Sequence, residues 1–354
     1  MVGIIIINYK DYANRFLADC RDSLRTQSFQ EEKVRFYIVD NASSKESRNS
    51  LKDNFQEAVI LPRSDGNYAA ANKLGVETAL GDGCNYIVIA NMDTVFDKNW
   101  LRELILAVDS DDRIGVVQSK MLLYPKIEEE KKHPKINSIG NVIHFLGFGF
   151  TSGYKEADRE IGGLPEISGY ASGCSFIIKK EVLERIGNYD EEYYMYHDDI
   201  EMSWRVKLAG YKIVLAPKSI MYHKYEFSRS VRMLYYMERN RNLIMFHYYR
   251  LPTLLLILPM MMVMEAGMIL YSIPGKWFLT KMKAIGYFLR PVTWMKITRK
   301  RRKINALRRV TDREIIKNFA SRIIFQEIEN PVLKYIANPI MDLYWQMVKY
   351  IIVW

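Results

Sequence analysis

Residues 2–9 read VGIIIINY, and this stretch decides the fold. All the residues from 2 to 7 are small or aliphatic, so both faces of an extended chain would be apolar there. A strand that is apolar on both faces is typical of a parallel sheet covered on each side by helices. Leu17 and Leu24 follow at helical spacing. We therefore predict a buried strand and then a helix. No basic residues precede the run, so a secretory signal is not expected.

The same strand-then-helix pattern recurs three times. Apolar runs at 34–39, 58–61 and 85–90 each end in polar turn residues and are followed by helical spacing, the last of them over 100–108. A further strand is predicted near 115–118. Four such units predict an α/β fold with an open, doubly wound, mostly parallel sheet. Ligands of such sheets bind at the carboxyl ends of the strands.

The middle of the chain has a less regular pattern. Residues 128–132 form a charge run, EEEKK, which we interpret as an exposed loop. Five glycines between 147 and 163 predict a segment able to move over a cleft. Residues 170–178 predict a loop that enters a strand. Residues 180–186 predict a short helix ended by Gly187.

Polar side chains follow three of the predicted strands at the point where each strand ends. Asp40 follows the second strand, Asp65 and Asn67 the third, and Asp93 the fourth. One such residue alone would most simply be a helix cap. Three acidic positions in succession favour a shared ligand site. No Gly-x-Gly-x-x-Gly follows the first strand and no P-loop is present, so a bound diphosphate would need a cation, which Asp93 could hold.

The strongest local signal is residues 193–205, YYMYHDDIEMSWR. Asp198 and Asp199 follow an aromatic cluster and open a predicted helix. Acids at a helix start are common because they favour the positive end of the helix dipole. The alternative is a general base, whose proton affinity a partly apolar cleft would raise. A later strand at 211–217 leads to His223, which is either a structural histidine or a metal or phosphate ligand.

Five motifs stand in a fixed order along the chain: IIINY (5–9), IVDNAS (38–43), GNYAAAN (66–72), NMDT (91–94) and YHDDIE (196–201), with LAGYK (208–212) and YH (222–223) after them. Together they resemble the family 2 glycosyltransferases, in particular their bacterial and archaeal rhamnosyltransferase-like branch. The likeness covers about residues 2–250 and implies a GT-A fold and inverting transfer of a sugar, rhamnose or a hexose, from a nucleotide diphosphate sugar.

The resemblance also implies roles for individual residues. Asp93 matches the last acid of the family's metal-binding Asp-x-Asp element, and His223 matches its late metal-side histidine, for Mg²⁺ or Mn²⁺. Asp199 matches the base that activates the acceptor, with Asp198 beside it. The nucleotide-sugar side is expected to include Asn8, Asp40 near the nucleoside base, Asn41, Asp65, Asn67, Asn72 and Asn91, and the acceptor or sugar side Gly173, Cys174, Trp204 and Arg205.

Two residues and one missing motif depart from the family pattern. The metal element begins with Asn91, so a single carboxylate would hold the metal together with the diphosphate and water. An Asp replaces the more usual Glu at 198, which leaves the choice of base open between Asp198 and Asp199. The Gln-x-x-Arg-Trp element of processive synthases is absent, so an enzyme that adds one or a few sugars is favoured.

The charge is divided unevenly along the chain. The net charge is +10. Residues 1–223 carry 28 Lys and Arg against 33 Asp and Glu, whereas residues 224–354 carry 23 against 8. Such an asymmetry indicates a catalytic or binding domain joined to a basic segment that contacts a polyanion, either nucleic acid or an anionic membrane. Residues 251–274 are apolar except for Glu265, and with three prolines they favour an interfacial or re-entrant helical hairpin over a membrane span.

Two further features of the C-terminal region support membrane association. Residues 299–303 are five consecutive cations, each worth about 1 kcal/mol near anionic lipid. Apolar residues recur at helical spacing over 333–354, where a core helix or a homo-oligomer contact is the equal alternative. We therefore expect a catalytic domain over 1–225, with a nucleotide-sugar half to about 115, and a basic, helical, membrane-associating region over 226–354.

The expected partners follow from this arrangement. They are a nucleotide diphosphate sugar, a lipid-linked or cell-surface glycan and an anionic membrane at its cytoplasmic face, with no nucleic acid. A basic-tailed binding protein without transferase activity would leave the acids between 40 and 199 unexplained. A nucleotidyltransferase would need a glycine-rich basic loop after the first strand. Cys20, Cys84 and Cys174 have no metal-site spacing and are expected to be reduced thiols.

Overall fold

A computed structural model describes residues 1–29, 33–226, 233–324 and 330–354. These residues group into two compact units. The domain boundary predicted at 225 stays a prediction. Two segments that precede it in sequence, 142–150 and 195–210, group with the C-terminal residues. The first unit comprises residues 1–141, 151–194 and 211–225, and the second comprises 142–150, 195–210 and 226–354.

The first unit is built on a mixed, nine-stranded sheet. Its strands are β1 (Val2–Tyr9), β2 (Val34–Asn41), β3 (Val59–Arg63), β4 (Tyr86–Asn91), β5 (Thr94–Phe96), β6 (Ile114–Leu123), β7 (Ile136–Ser138), β10 (Ser175–Lys179) and β11 (Lys212–His223). They lie in the order β3-β2-β1-β4-β10-β6-β11-β5, and β7 pairs with β6. The short strands β8 (Asn141–Ile143) and β9 (Gly149–Thr151) pair separately.

All four predicted strand-and-helix units form, which confirms the α/β class. The helices are α1 (Tyr12–Arg25), α2 (Lys45–Asn54), α3 (Tyr68–Gly81), α4 (Trp100–Val108), α5 (Glu128–Lys132) and α6 (Lys180–Ile186), with a 3₁₀ turn at Glu191–Tyr193. Gly187 ends α6 at φ +84°, as predicted. The predicted exposed loop at the charge run is wrong in one respect: α5 is a short helix there, supported by i,i+3 ion pairs such as Lys131 with Glu128.

Small residues let α3 lie close to the sheet. Ala69, Ala70 and Ala71 are buried on its first turn. A Cβ atom at Gly75 would lie 2.4 Å from Cγ2 of Ile5 in β1. No real Cβ tolerates that approach, so a larger residue at 75 would push the helix off the sheet. The close packing fixes the start of α3 beside the carboxyl ends of β1 and β2.

Strand β10 runs opposite to the strands on both sides of it. β10 pairs antiparallel with β4 on one side and with β6 on the other. Its register places Ser175 opposite Ala90, the last apolar residue of β4 and one residue before its end at Asn91. The backbone N–H of Asn91 then donates to the carbonyl of Cys174 at 3.1 Å. The loop before β10 is thereby held at the same edge as the end of β4.

The second unit is helical. Its core includes Trp345, whose ring stacks on Phe145 at 4.6 Å between centroids. Thr311 and Glu314 form a reciprocal capping box at the start of one short helix. The helices are α7 (Asp198–Leu208), α8 (Leu234–Tyr248), α9 (Leu251–Ser272), α10 (Phe278–Phe288), α11 (Pro291–Leu307), α12 (Asp312–Ile316), a π-helical turn at Leu333–Ala337, and α13 (Asn338–Ile351).

Helix α9 corrects the predicted hairpin. It is continuous over 22 residues, because Pro252 lies in its first turn, where no N–H is needed, and Pro259 is accommodated inside it. By length and composition it could cross a membrane: its most apolar 18 residues have a mean hydropathy of 2.1. Only 22% of that stretch is buried. Leu255 and Met262 are among its exposed apolar side chains.

The carboxylate of Glu265 in α9 is paired inside the second unit. It forms ion pairs with Arg241 of α8 and, at 2.7 Å, with Lys281 of α10. A charge buried in an apolar setting is costly unless it is paired. Glu265 argued against a membrane span in the sequence because an unpaired carboxylate at that depth is costly. The two cations offset that cost, so Glu265 no longer argues against a span.

The five-cation run is not uniformly exposed, which corrects the prediction of five membrane-facing charges. Residues 299–303 lie in α11, where successive side chains differ in direction by about 100°. Lys300 turns inward to Glu201 at 2.8 Å. Arg301 donates to the carbonyls of Phe246 and Tyr249. Arg299, Arg302 and Lys303 remain on the exposed face.

Candidate functional site

The end of β1 is joined to the end of β2 through a buried pair. Asn8 donates from Nδ2 to Oδ1 of Asp40 at 2.8 Å, and its own Oδ1 accepts from the backbone N–H of Ala13. The second oxygen of Asp40 accepts from Nε of Arg48 at 2.6 Å. Asp40 is 1% exposed. The carboxylate is therefore held rigidly at the carboxyl edge of the sheet.

A groove opens beside Asp40. Its volume is about 530 Å³, within the range of small-molecule sites. Arg48, Lys52 and Arg63 bring positive charge to it, and Ile60 and Pro62 give it an apolar wall. Three cations with one buried carboxylate suit a ligand that carries both negative charge and a hydrogen-bonding ring, as a nucleotide does.

Three of the residues predicted on the nucleotide-sugar side hold the chain itself. Asn41 donates to the carbonyl of Asn67 and accepts from the N–H of Gly66. Asn67 is the N-cap of α3, accepting from Ala70 N–H at 2.9 Å. Asp65 pairs with Arg63 and accepts from the N–H of Asn67. Their contacts are those of caps and turns, and they shape the loop between β3 and α3.

Asn72 and Asn91 are linked to one tyrosine. Asn72 is buried and donates to the carbonyl of Tyr68, while the hydroxyl of Tyr68 donates to Oδ1 of Asn91 at 2.9 Å. Oδ1 of Asn72 has no hydrogen-bond partner among the described residues. Nδ2 of Asn91 donates to Sγ of Cys174, which follows Gly173 in the loop before β10. Asn91, Gly173 and Cys174 are thus brought together.

The two predicted metal-side residues also meet. His223 pairs with Thr94 across β11 and β5, and its Nε2 lies 3.6 Å from Oδ1 of Asp93. Both side chains are buried. Nδ1 of His223 lies 3.0 Å from Oδ1 of Asn137. Burial lowers the pKa of His223, but Cys174 and Asp93 raise it by more, so that it lies well above its ordinary value.

The donor set fits a divalent cation. A carboxylate oxygen and an imidazole nitrogen 3.6 Å apart can both touch one ion, since ligands of Mg²⁺ lie about 2.1 Å from it. The Asn137 contact fixes the ring by leaving Nε2 facing Asp93, as outer partners of metal-binding histidines do. The described residues contain no group of three or more His, Cys, Asp or Glu arranged to hold a metal. The remaining ligands would come from phosphate and water.

The acidic pair lies in the second unit, at the start of α7. Asp198 is 5% exposed, whereas Asp199 is partly exposed. Burial, and then the neighbouring Asp199, raise the pKa of Asp198 well above its ordinary value. Tyr196 and His197 just before it have φ of +63° each. Such left-handed backbone costs about 1–3 kcal/mol per residue and persists where surrounding contacts hold it, commonly at functional sites.

Trp204 and Arg205 are buried in α7 and face protein groups. Trp204 is 2% exposed and packs on Tyr248, with Tyr249 and Phe319 at its edges. Arg205 pairs with Glu201 in the same helix. Glu201 also pairs with a second cation, Lys300. Burial raises the pKa of Glu201, but these two cations outweigh it and the pKa falls to about 2. Trp204 is packed and Arg205 is ion-paired inside the protein, which argues against the role predicted for them on the acceptor or sugar side.

Sequence reasoning missed a set of residues on α8. Residues 238–242 read ERNRN and are all buried. Asn240 donates to two carbonyls just before the acidic pair, and Arg241 reaches the turn at Gly147. The signal was present: five successive polar residues cannot share one solvated helix face, so some must be buried and paired.

Comparisons with known proteins bear on the family of the chain. Residues 3–187 match the family model described as glycosyl transferase family 2. The chain is 24% identical over 225 residues to the low-salt glycan biosynthesis hexosyltransferase Agl10 of Haloferax volcanii, covering 60% of this chain and 63% of that protein. It is 20% identical over 192 residues to the O-antigen chain rhamnosyltransferase WbaN of Salmonella anatum, covering 54% and 56%.

A solved structure shares the fold. The structure of GalNAc-T7 with UDP, GalNAc and Mn²⁺ matches with a TM-score of 0.51 and 14% identity, over 68% of this chain and 47% of that one. The match with both curated relatives spans less than two thirds of their length.

Proposed function

The chain belongs to glycosyl transferase family 2, and on that premise we propose that it moves one sugar at a time, with inversion, from a nucleotide diphosphate sugar to a hydroxyl of a glycan. Membership confirms the family predicted from the five motifs, and the chain is a glycosyltransferase with a GT-A-like α/β fold and a helical C-terminal region. The finer assignments below are proposals.

The donor is proposed to bind at the carboxyl edge of the first unit's sheet. The observation that carries this proposal is the meeting of Asp93 and His223 at 3.6 Å. With them, the cationic groove beside Asp40 offers a place for the nucleotide. A divalent cation, Mg²⁺ or Mn²⁺, held by Asp93 and His223 would stabilise negative charge on the departing diphosphate. GalNAc-T7 has been solved with UDP and Mn²⁺, which supports this choice.

Acceptor activation is assigned to the acidic pair. In an inverting transfer the acceptor oxygen forms a bond to the anomeric carbon while the bond to the diphosphate breaks, and the hydroxyl proton passes to a base. Asp199 is the proposed base because the residue is partly exposed, whereas Asp198 is buried. Asp198 is buried, so its proposed role is to position its neighbour.

The acceptor is proposed to be lipid-linked or on the cell surface, reached from the cytoplasmic face of the membrane. The relatives named for glycan and O-antigen chain synthesis support a glycan acceptor, and rhamnose or another hexose is the proposed sugar. Exposed apolar side chains on α9 and α13, including Leu255 and Leu343, together with the exposed cations of α11, support contact with an anionic bilayer.

One experiment tests the proposed reaction directly. The full chain is incubated with a panel of nucleotide diphosphate sugars and a lipid extract, with Mn²⁺ and with a chelator, and transfer is followed by mass spectrometry. We expect one donor to give a glycosylated product of inverted anomeric configuration, and only with the metal present. A product with retained configuration would contradict the proposed mechanism, and the absence of any transfer would contradict the proposed function.

A further inference from the structure

Helix α8 carries a polar run that is buried on every side. Residues 238–242, ERNRN, are each between 0% and 7% exposed. Successive side chains on a helix turn by about 100°, so these five point in all directions around the axis. Buried polar groups must find partners. Their partners therefore show what the helix holds in place.

Asn240 holds the backbone that leads into the acidic pair. Its Nδ2 donates to the carbonyls of Met195 at 3.0 Å and Tyr196 at 2.7 Å. Its Oδ1 accepts from Arg239 at 2.7 Å. Tyr196 and His197 have left-handed backbone, and the side chain of His197, the N-cap of α7, makes no capping hydrogen bond. The strained entry to α7 is thus held from outside by α8.

Arg241 holds the same segment by a second route. It donates to the carbonyl of Leu146 at 3.3 Å, and its guanidinium lies 4.5 Å from the ring of Phe148. Between them, Gly147 has φ +80°, and a Cβ there would lie 2.6 Å from the carbonyl oxygen of Arg241. The carbonyl of Gly147 in turn lies 3.2 Å from Nε2 of His197.

The charge of Arg241 is balanced from the apolar helices. Glu238 lies 3.2 Å from it, and Glu265 of α9 pairs with it as well. Lys281 of α10 pairs with both of these carboxylates. Two cations and two anions therefore form a closed, neutral network. Such a network is stable in a buried setting only when every member is present.

We propose that Asn240 and Arg241 are positioning residues, which hold residues 195–197 so that Asp198 and Asp199 are presented for acceptor activation. This inference rests on the proposed function of the acidic pair. Neither residue touches the reacting atoms. Both act on the backbone just before the pair, one through the carbonyls of 195 and 196 and the other through the turn at Gly147.

The substitution Asn240→Asp tests the proposal. It keeps the shape and the oxygen that Arg239 contacts but removes both N–H donors. Asn338→Asp is the matched control, because it removes a donor to a backbone carbonyl, that of Ile323, from another buried asparagine of the second unit. Hydrogen–deuterium exchange of the full chain is followed over residues 195–201, together with kcat and the donor KM.

We expect Asn240→Asp to speed exchange over 195–201 at least tenfold and to lower kcat at least tenfold, with the donor KM within twofold of wild type. We expect no such change in Asn338→Asp. Unchanged exchange, or equal effects in the two variants, would overturn the positioning role and leave the assignment of Asp199 to its own test. Faster exchange with unchanged kcat would also overturn the positioning role, because the backbone at 195–201 would then not limit turnover; the assignment of Asp199 is decided separately by Asp199→Asn.

A second pair of variants covers the case in which Asn240→Asp does not fold. Gly147→Ala adds a Cβ against the Arg241 backbone, whereas Gly286→Ala in α10 adds one in open space. We expect faster exchange over 195–201 and a lower kcat in Gly147→Ala alone. Identical behaviour of the two alanine variants would contradict the second route.

Discussion

Nε2 of His223 lies 3.6 Å from Oδ1 of Asp93. The antiparallel pairing of β5 with β11 sets this distance, because it places Thr94 opposite His223 and so carries the turn after β4 to the end of β11. The backbone N–H of Lys224 donates to the carbonyl of Asp93 and closes the same corner. The spacing between the two proposed ligands therefore depends on the sheet rather than on flexible side chains.

The first prediction concerns the metal. Asp93→Asn keeps the shape but removes the charge, so we expect Mn²⁺ affinity in the presence of a nucleoside diphosphate to fall by about 100-fold or more. Electron paramagnetic resonance of free Mn²⁺ measures this. Asp65→Asn is the control, because Asp65 also follows the end of a strand, β3, but pairs with Arg63. Equal Mn²⁺ affinity in wild type and Asp93→Asn would remove Asp93 from the metal site.

The second prediction separates the surface cations of α11 from the internal ones. Changing Arg299, Arg302 and Lys303 to Gln should weaken binding to vesicles containing phosphatidylglycerol by about 100-fold, at roughly 1 kcal/mol per charge, without lowering the melting temperature. The control changes Lys126, Lys131 and Lys132, which alters the net charge equally in the first unit. Flotation measures both. Equal loss in the two triple variants would show that net charge, not α11, drives binding.

The third prediction concerns Trp204, which is packed against Tyr248, Tyr249 and Phe319. Trp204→Ala should lower the free energy of unfolding by about 3–5 kcal/mol, since it leaves a cavity in the core. Trp294→Ala, at a ring 43% exposed, should cost far less. Chemical denaturation compares the two. A Trp204→Ala protein of normal stability with a raised acceptor KM would restore the sugar-side role.

The fourth prediction concerns acid. Burial lowers the pKa of His144 from its ordinary value near 6.5 to about 3. Between pH 6.5 and pH 3 the ring therefore binds a proton in the unfolded chain but not in the folded one. The free energy of unfolding therefore falls as the pH drops below 6.5, and His144 accounts for a loss of about 3 kcal/mol at pH 4. His144→Asn, whose oxygen can accept from Leu146 N–H as the ring does, should flatten this dependence.

Denaturation curves across the range measure the effect. His197, with its pKa lowered by burial to about 4, acts in the same direction and remains in the variant. His133→Asn, at an exposed position, is measured as the control substitution. An unchanged slope in His144→Asn would contradict the account of a buried neutral ring.

The strands and helices of the first unit could be predicted because their signals are local. The apolar run at 2–7 forms β1, and helix spacing gave α4 and α6 at their observed bounds. The antiparallel insertion of β10 could not be predicted, because strand order depends on pairing between distant segments. The contact of Cys174 with Asn91 follows only from that order.

Side-chain direction limited the prediction of the site. The motifs located Asp93, His223 and Asp40, but capping residues and binding residues look alike in sequence, as Asn67 shows by capping α3. In the second unit, the burial of polar side chains on α8 and α11 depends on which neighbouring helices they contact. Lys300 and Arg301 were assigned to a surface run, yet both reach protein atoms, because a helix distributes consecutive residues around its axis.

The most direct test of the account is the turnover of Asp199→Asn. The substitution keeps the shape of the side chain and removes its basicity, so we predict that kcat falls by about 10²–10⁴-fold while donor affinity stays near wild type. Asp198→Asn is measured beside it and should lose less. An Asp199→Asn enzyme that keeps most of its turnover would contradict the assignment: it would move the base to position 198 if Asp198→Asn is inactive, and would refute acceptor activation by this pair if both variants remain active.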